Sequence, residues 1–398
     1  MDQLFDDVRI LDLSEGIPGP FASRIFADYG ADVIKVEAPA GDPARRHGPF
    51  PGDRPDPEAS ALFLHLNRNK RGITLDITSA SGAELLRKLV KSADIVVESF
   101  APGHLAACGL GFERLREIKP DLVLASLTPF GQDGPYAGYQ GNDIIYYALG
   151  GMNMTGDAEL YPIKKAASMV EHQVGNNLAL AMAAGFMAAR YQGRGQHIDL
   201  AAAEVQQTSV DRRAQLLLGH AYSGESSSRE SLSAGALPSG IFPCRDGYVQ
   251  VMTTPAWAER MARTLNRPDF MKRLAEPGAL YSMEFKAEID AVFQPWLAAH
   301  TRHELFQQAL ANQWPVYPIN TIKDLMEDAH FRSREFWIEQ EHPVVGPLTY
   351  PGPLARMESG FALRWPSPRL GEHNQAIYGT ELGLSGAELS RLKAAGVI

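Results

Sequence analysis

The sequence offers few side chains whose type and spacing suggest chemistry, and they gather at a handful of places. Glu171 and His172 stand at the head of a long stretch crowded with Ala and Gly, LALAMAAGFMAAR. A carboxylate at a helix start stabilises the positive end of the helix dipole, which any Glu there can do. His172 adjoins it, but sequence neighbours on a helix point in different directions, so the two are not an acid–base pair by default. Asp143, in Gly141-Asn142-Asp143, reads as the N-cap of a short helix over 144–149. The two cysteines, Cys108 and Cys244, share no CxxC or Cys/His spacing, which fits a reducing compartment and not a disulfide framework. The fingerprints GxGxxG, P-loop, HExxH and GxSxG are all missing, which argues against several common enzyme classes.

The elements that must position these groups alternate in type. Branched apolar runs at 8–13, 32–37, 94–98, 121–127 and 197–201 read as strands. Between them, 21–29, 82–93, 113–119 and about 171–191 read as helices, with Gly30 where a helix C-cap is expected. Such alternation implies βαβ units and a parallel sheet, an α/β, Rossmann-like architecture. The serine-rich segment 223–233 (SGESSSRESLS) reads as a linker. Beyond it, 237–253 reads as a loop and hairpin, and 257–265 and 305–312 as helices. That region lacks the βα alternation and is expected to form a smaller α+β domain. The tail, from about 331, holds prolines and short β-like pieces before a last helix over 386–395. The domain expectation is therefore 1–222 for the large domain, 223–330 for linker and small domain, and 331–398 for a return to the large one.

The chain has 398 residues, 45% hydrophobic and 21% charged, with a net charge of −9. A chain this long exceeds one small core. No basic stripe is present, so nucleic acid is not an expected partner. An acidic protein still binds a polyanion where a few Arg, Lys and helix N-termini converge. The N-terminal segment MDQLFDDVRILDLSEG lacks the pattern of a signal peptide, and no apolar run approaches the ~18 residues of a membrane span. A cytoplasmic protein without a membrane partner is expected.

Six phrases, in order, resemble the class III CoA-transferase family, which also holds acyl-CoA racemases and carnitine-related transferases. They are ILDLSEGIPGPFASRIFADYGADVIKVEAPAGDPAR at 10–45, NRNKRGITLDI at 67–77, DIVVESFAPG at 94–103, SLTPFGQDGPYAGYQGNDIIYYALGGMNMTG at 126–156, GRGQHIDLAAAE at 193–204 and IFPCRDGYVQV at 241–251. The resemblance implies two interlocked subunits and a reaction without a permanently bound cofactor, coenzyme A or an acyl-CoA being the substrate. It also implies an Asp nucleophile just before the Ala-rich helix; in Glu171-His172-Gln173-Val174-Gly175 that position holds Glu171, the same group on a stem longer by roughly 1.5 Å. In the family this carboxylate takes the acyl group as an anhydride and then coenzyme A as a thioester. Asp143 matches a family carboxylate near the active site.

Ser99 and Phe100 match the family's CoA-contact turn, and the resemblance places Leu75 and Gln140 among the coenzyme-binding residues as well. Ile17 and Ala38 stand where the formyl-CoA transferase branch has Gln and an Arg for the nucleotide. Phosphate contacts are therefore expected from Arg45, Arg46, Arg68, Lys70 and Arg71, because Arg and Lys pair with phosphates. The racemase branch has a His base where this chain has Asn142, whose amide cannot act as a base. The expected reaction is CoA transfer from an acyl-CoA to a free carboxylic acid by a homodimer or by a heteromer with a paralogue. The rival readings are a CoA-binding subunit without its own nucleophile and an acyl-CoA racemase or isomerase.

Overall fold

The structure, a computed structural model, describes residues 3–150, 161–164, 167–208, 213–225 and 235–398. The chain divides into two compact units, one from Met1–Met152, Lys164–Ser226 and Glu335–Ile398, the other from Asn153–Ile163 and Ser227–Arg334. From residue 226 on, the serine-rich segment lies outside the described residues.

The first unit is built on six parallel strands, β1 (Arg9–Asp12), β2 (Asp32–Glu37), β3 (Lys70–Thr74), β4 (Ile95–Glu98), β5 (Val123–Thr128) and β6 (Gln196–Ala201). Their order is β3-β2-β1-β4-β5-β6, a doubly wound arrangement with its reversal between β1 and β4. The helices are α1 (Pro18–Asp28), α2 (Ala61–Asn67), α3 (Ala80–Val90), α4 (His104–Ala107), α5 (Phe112–Ile118), α6 (Asp143–Leu149), α7 (Met169–Gln192), α8 (Ala202–Thr208) and α9 (Arg213–Ser223). Successive strand residues face opposite ways, and both faces of the sheet are covered, so the central strands are apolar throughout. Ile10, Val33, Val97 and Ala125 join Phe26, Leu178 and Met182 in one core. Leu11, Ile34, Val96 and Leu124 join Leu86, Leu89 and Leu115 in the other.

Helix α1 begins three residues earlier than the sequence pattern suggests, taking in Pro18 and Pro20. A proline is tolerated in a first turn because the amide it lacks has no partner there. Asn142, not Asp143, is the N-cap of α6, its side-chain oxygen accepting from the Ile145 amide at 3.3 Å. Asp143 is the first helical residue and is thereby released for another contact.

The second unit has an antiparallel sheet of β7 (Gly240–Cys244), β8 (Gly247–Val251) and β9 (Val316–Pro318). Its helices are α10 (Ala258–Thr264), α11 (Asp269–Leu274), α12 (Met283–Ala299), α13 (Arg302–Ala311), α14 (Ile322–Glu327) and α15 (Ala329–Ser333). The expected hairpin is β7–β8. Helix α12, the longest of the unit, has no counterpart in the sequence reading, since Pro295 sits inside its pattern. Phe270, Phe285, Phe293 and Trp314 fill this core. Residues 235–239 lead into β7 with Ala236 and Leu237 buried and the Ala236 amide on Leu280 O at 2.7 Å.

The C-terminal segment carries the hairpin β10 (Trp337–His342) and β11 (Gly346–Pro351), and ends in α16 (Gly386–Ala394). It lies along the edge strand β3. The His373 amide meets Gly72 O at 2.8 Å, the Tyr378 hydroxyl meets Thr74 O at 2.8 Å, and Asn69 Nδ2 meets Ala362 O at 3.0 Å. An open sheet edge, a template for unwanted pairing, is thus covered.

At the carboxyl end of β1 the buried Asp12 carboxylate accepts from Lys70 Nζ at 2.8 Å, Ser23 Oγ at 2.6 Å and Ser14 Oγ at 2.5 Å. Burial works to raise its pKa, but the charges of Lys70 and Lys35 hold it well below the usual carboxylate range. Replacing Asp12 by Ala leaves the fully buried Lys70 amine without its counter-charge. We expect Asp12→Ala to lower unfolding stability by about 3–5 kcal/mol, read as a fall in the urea midpoint, with Arg46→Ala on the surface changing it by less than about 0.5 kcal/mol.

Candidate active site

In an open doubly wound sheet, ligands bind in the crevice outside the carboxyl ends of the strands, where the strand order reverses. Here that crevice lies beyond β1 and β4. The loop after β1 is tied across it, because the Glu15 amide donates to Ser99 Oγ at 2.8 Å. The Gly16 amide donates to Asp42 Oδ1 at 3.2 Å, and Gly16 has φ +75°, a conformation that suits glycine. Asp42 is itself held by Lys35 at 2.7 Å. On the β4 side, Glu98 accepts from the Phe100 amide at 2.7 Å. Burial pushes the Glu98 carboxyl up to about 7, while hydrogen bonds from Ser126 and the Phe100 amide oppose the rise. Ser99 and Phe100, half-buried, therefore sit where a ligand of this sheet is expected.

Helix α1 leaves this crevice and is crossed at its start by α7. A Cβ on Gly175 would lie 2.7 Å from Pro18 O and 2.9 Å from Phe21 Cδ1, so only glycine lets the two helices approach this closely. One turn earlier, in the first turn of α7, stands Glu171. Ser168 occupies the N-cap position but makes no side-chain bond to the helix backbone. The capping contact comes from α6, where Asp143 Oδ1 accepts the Glu171 amide at 3.2 Å. Asp143 Oδ2 faces Lys164 Nζ at 2.7 Å. Glu171 is half-buried. Burial, joined by the Asp143 charge, lifts its carboxyl above the ordinary Glu value, while a Ser168 hydrogen bond and the charges of His172 and Lys164 pull the other way. Tyr146 of α6 lies close enough that burial, with Glu171 and Asp143, pushes its hydroxyl up to about 12.

His172 turns away from this group. Its Nδ1 lies 2.8 Å from Ser168 O and its ring meets Phe21 edge-on, with centroids 5.0 Å apart. The site is a carboxylate set on a helix N-terminus, partly shielded from water and flanked by a second carboxylate and an ammonium. Such a group attacks an electrophilic carbonyl when ionised and accepts a proton otherwise.

The other sequence-selected residues have these places. Arg45 is buried and makes two bonds to Glu37, at 2.6 and 2.8 Å, and one to Glu58 at 2.9 Å. Arg68 grips Asp28 at 2.8 and 3.2 Å and Pro351 O at 2.9 Å. Lys70 meets Asp12, Pro20 O and Asn67 Oδ1, three acceptors for its three protons. Arg71 lies near the amino end of β3, bonded to Asp32 and Glu381. These four cations have protein carboxylates where phosphates were expected, since each lies in a buried or half-buried place that demands a counter-charge. Arg46 alone of the five is exposed, four residues after Asp42 in chain order, with one long bond to Ala40 O at 3.5 Å. Leu75 is buried in the second core with its amide on Glu37 O at 2.7 Å, and Gln140 is exposed ahead of α6.

Lys164, Ser168 and Tyr146 have no place in the sequence reading. Ser168-x-x-Glu171 has the capping-box spacing and could have marked the helix start at Met169. Lys164 offers no local signal, because its partner Asp143 is distant in the chain.

The model of CoA-transferase family III matches residues 5–374. The chain is 32% identical to the succinyl-CoA:(R)-benzylsuccinate CoA-transferase subunit BbsE of Thauera aromatica, covering 100% of this chain and 99% of that protein. It is 32% identical to a formyl-CoA:oxalate CoA-transferase of Streptomyces avermitilis over 100% of both. It is 30% identical to the human succinyl-CoA:glutarate CoA-transferase over 99% of this chain and 90% of that one. A CAIB/BAIF family protein from Brucella suis superposes with a TM-score of 0.82 at 28% identity, covering 96% of this chain and all of that one.

This chain therefore belongs to CoA-transferase family III, and it is a CoA-transferase. The close helix crossing generates a direct test. Gly175→Val should push α7 from α1 and displace Glu171 by a sizeable fraction of an ångström. We expect transferase kcat/KM to fall by roughly 100-fold, with stability lowered by about 1–3 kcal/mol, measured by steady-state kinetics and urea unfolding.

Proposed function

We propose that this enzyme moves coenzyme A between a dicarboxylic acyl-CoA of the succinyl-CoA type and a second carboxylic acid, with Glu171 as the nucleophile. The observation that carries the reading is the half-buried Glu171 carboxyl at the N-terminus of α7, beside the start of α1. The donor class is supported by relatives named for succinyl-CoA with benzylsuccinate, D-citramalate, glutarate or L-malate.

The ionised Glu171 attacks the acyl carbonyl, forming a C–O bond and releasing the CoA thiolate. The thiolate then attacks the glutamyl carbonyl of the anhydride, giving a glutamyl–CoA thioester and the free donor acid. The acceptor carboxylate attacks that thioester, forming a second anhydride and again releasing the thiolate. Attack of the thiolate on the acceptor's acyl carbon yields the new acyl-CoA and regenerates Glu171. Each step exchanges one acyl–heteroatom bond for another and needs no redox partner.

In this reading Ser99 and Phe100 border the coenzyme in the Rossmann-like crevice, with Leu75 at its strand end and Gln140 at its rim. Arg46, the exposed one of the five cations, is assigned to the nucleotide phosphates, and Arg45, Arg68, Lys70 and Arg71 to the surrounding scaffold. Asn142 serves as a helix cap and supplies no racemase base. Among the described residues no helix is long and apolar enough to cross a membrane. The free thiols fit a cytoplasmic setting.

We also propose an interlocked dimer. Apolar side chains stand exposed along α6 (Ile144, Leu149), α7 (Leu180, Met187, Tyr191) and α9 (Leu217, Leu218, Tyr222), and a second chain that covers them would gain their burial. Two relatives are named as subunits, which keeps pairing with a paralogue as the second reading. Sedimentation of the purified chain should show a dimer at nanomolar concentration, and a folded monomer speaks against the interlocked arrangement.

The nucleophile is tested by exchange of CoA from succinyl-CoA to isotope-labelled succinate. Glu171→Gln should abolish exchange, at least ~10⁴-fold down, because the amide cannot form the anhydride. Hydroxylamine should convert the wild-type intermediate to a hydroxamate on the peptide holding Glu171. Full exchange by Glu171→Gln places the nucleophile elsewhere, and exchange that appears only with an added paralogue selects the second reading.

A further inference from the structure

Lys164 stands on none of the elements that the sequence ties to the reaction, yet it contacts the two groups that set Glu171 in place. Its ammonium lies 2.7 Å from Asp143 Oδ2. The other oxygen of that carboxylate accepts the Glu171 amide at 3.2 Å. The same ammonium donates to Ala167 O at 2.5 Å. Ala167 has φ +51°, the left-handed region that an Ala side chain disfavours. It is the residue immediately before the Ser168 N-cap, so its backbone aims the chain into α7. A strained residue persists where its surroundings hold it, and the Lys164 bond is such a hold.

The charges make the same point. The Asp143 side chain is 11% exposed and that of Lys164 29% exposed, so the pair is partly shielded from water. The groups whose charge or hydrogen bonds act on Glu171 are Asp143 of α6, Lys164 before α7, and Ser168 and, at longer range, His172 of its own helix, with Tyr146 of α6 close by. From α1, Phe21 contributes an uncharged ring against His172. Without Lys164, Asp143 would leave an uncompensated negative charge beside a carboxylate that must itself be negative to attack.

We infer that Lys164 is a positioning residue for CoA transfer: through Asp143 and the Ala167 carbonyl it fixes the first turn of α7, and its charge offsets that of Asp143 beside Glu171. This inference rests on the reading of Glu171 as nucleophile. The sign of the effect follows. The Glu171 carboxyl is already raised by burial and by Asp143, while Lys164 opposes the rise. Transfer requires the ionised form, so it is lost as pH falls through that pKa. Removing Lys164 moves the loss to higher pH, and removing the Asp143 charge moves it to lower pH.

The experiment measures kcat/KM against pH for succinyl-CoA/labelled-succinate exchange in wild type, Lys164→Met, Lys164→Arg, Asp143→Asn and the double variant Asp143→Asn/Lys164→Met. Substrate ionisations are common to all five, so any difference in the acid limb belongs to the enzyme. In Lys164→Met the limb should move to higher pH, with the loss of activity largest at pH values below the wild-type limb and absent on the alkaline plateau. Lys164→Arg should keep the wild-type profile. Asp143→Asn should move the limb down, and the double variant should return it towards wild type. A Lys164→Met acid limb that stays in place, whatever the loss of stability or rate, overturns the inference, as does an Asp143→Asn limb that moves up. Glu171→Gln is run alongside. If it is inactive while the Lys164→Met limb is unmoved, the nucleophile stands and the Lys164 role falls; if it is fully active, the nucleophile reading falls and this inference with it.

Discussion

A single buried carboxylate, Asp12, organises the carboxyl end of the sheet. It takes Lys70 from β3, Ser14 from its own loop and Ser23 from α1, and Lys70 reaches on to Pro20 O. Lys35 of β2 donates to Ser14 O and pairs with Asp42, whose carboxylate in turn holds the Gly16 and Ala44 amides. Three strands, the crevice loop and the start of α1 are therefore joined by one continuous chain of buried ions. Burial pulls Lys70 down to about 8 even with Asp12 beside it, which shows how much desolvation the pair must offset. Buried ion pairs add little net stability over an apolar core, but breaking one member is costly, so the geometry is sharply specified.

The candidate nucleophile depends on that frame through close packing. With α1 anchored by Ser23 and Pro20, α7 can be set against it only where a side chain is missing, and Gly175 supplies that place. Gly185 does the same further along, where a Cβ would come within 2.8 Å of Ile198 and 3.1 Å of Val123 on the sheet. The small residues of the Ala-rich helix thus fix its distance from both neighbours, and Glu171 one turn ahead inherits a defined position. The polar contacts around it then divide the work. Asp143 replaces the missing N-cap bond, and the charge it brings is balanced by Lys164. In the proposed reaction a carboxylate on a longer stem than Asp would have to reach the reacting carbon from a position set by these contacts, a geometric demand of the order of an ångström.

The C-terminal segment completes the same unit by covering β3, and it explains the fate of most of the cations. Arg45 meets Pro368 O, Arg68 meets Pro351 O, and Arg71 meets Glu381, so each ties the returning chain to the sheet. These residues belong to the joint between distant parts of one unit. Arg46, one residue from Arg45, points to solvent. Which of two adjacent arginines is buried depends on the turn of a short 3-10 helix, Pro43–Arg46.

The alternating strand and helix patterns were legible because they are local. Asp32–Glu37 matches its observed strand, and most other strand and helix ends lie within two or three residues of the pattern. The hydrophobic period and the turn residues depend only on near neighbours. The six family-like phrases pointed to the reaction class for a related reason, since each is a continuous local stretch that takes in a strand or helix and the loop beside it. What the sequence did not disclose is long-range. Helix α12, with Pro295 inside it, is held by the core of its own unit. The pairing of Arg45, Arg68, Lys70 and Arg71 with carboxylates, the exchange of roles between Asn142 and Asp143, and the contact of Lys164 with Asp143 all require folded neighbours. A charge carries no mark of its partner in its own sequence context. Composition and spacing determined that this is an α/β enzyme with a carboxylate at a helix start; only the folded chain decided which charges face that carboxylate, because burial and Coulomb interaction depend on distance in space and not along the chain.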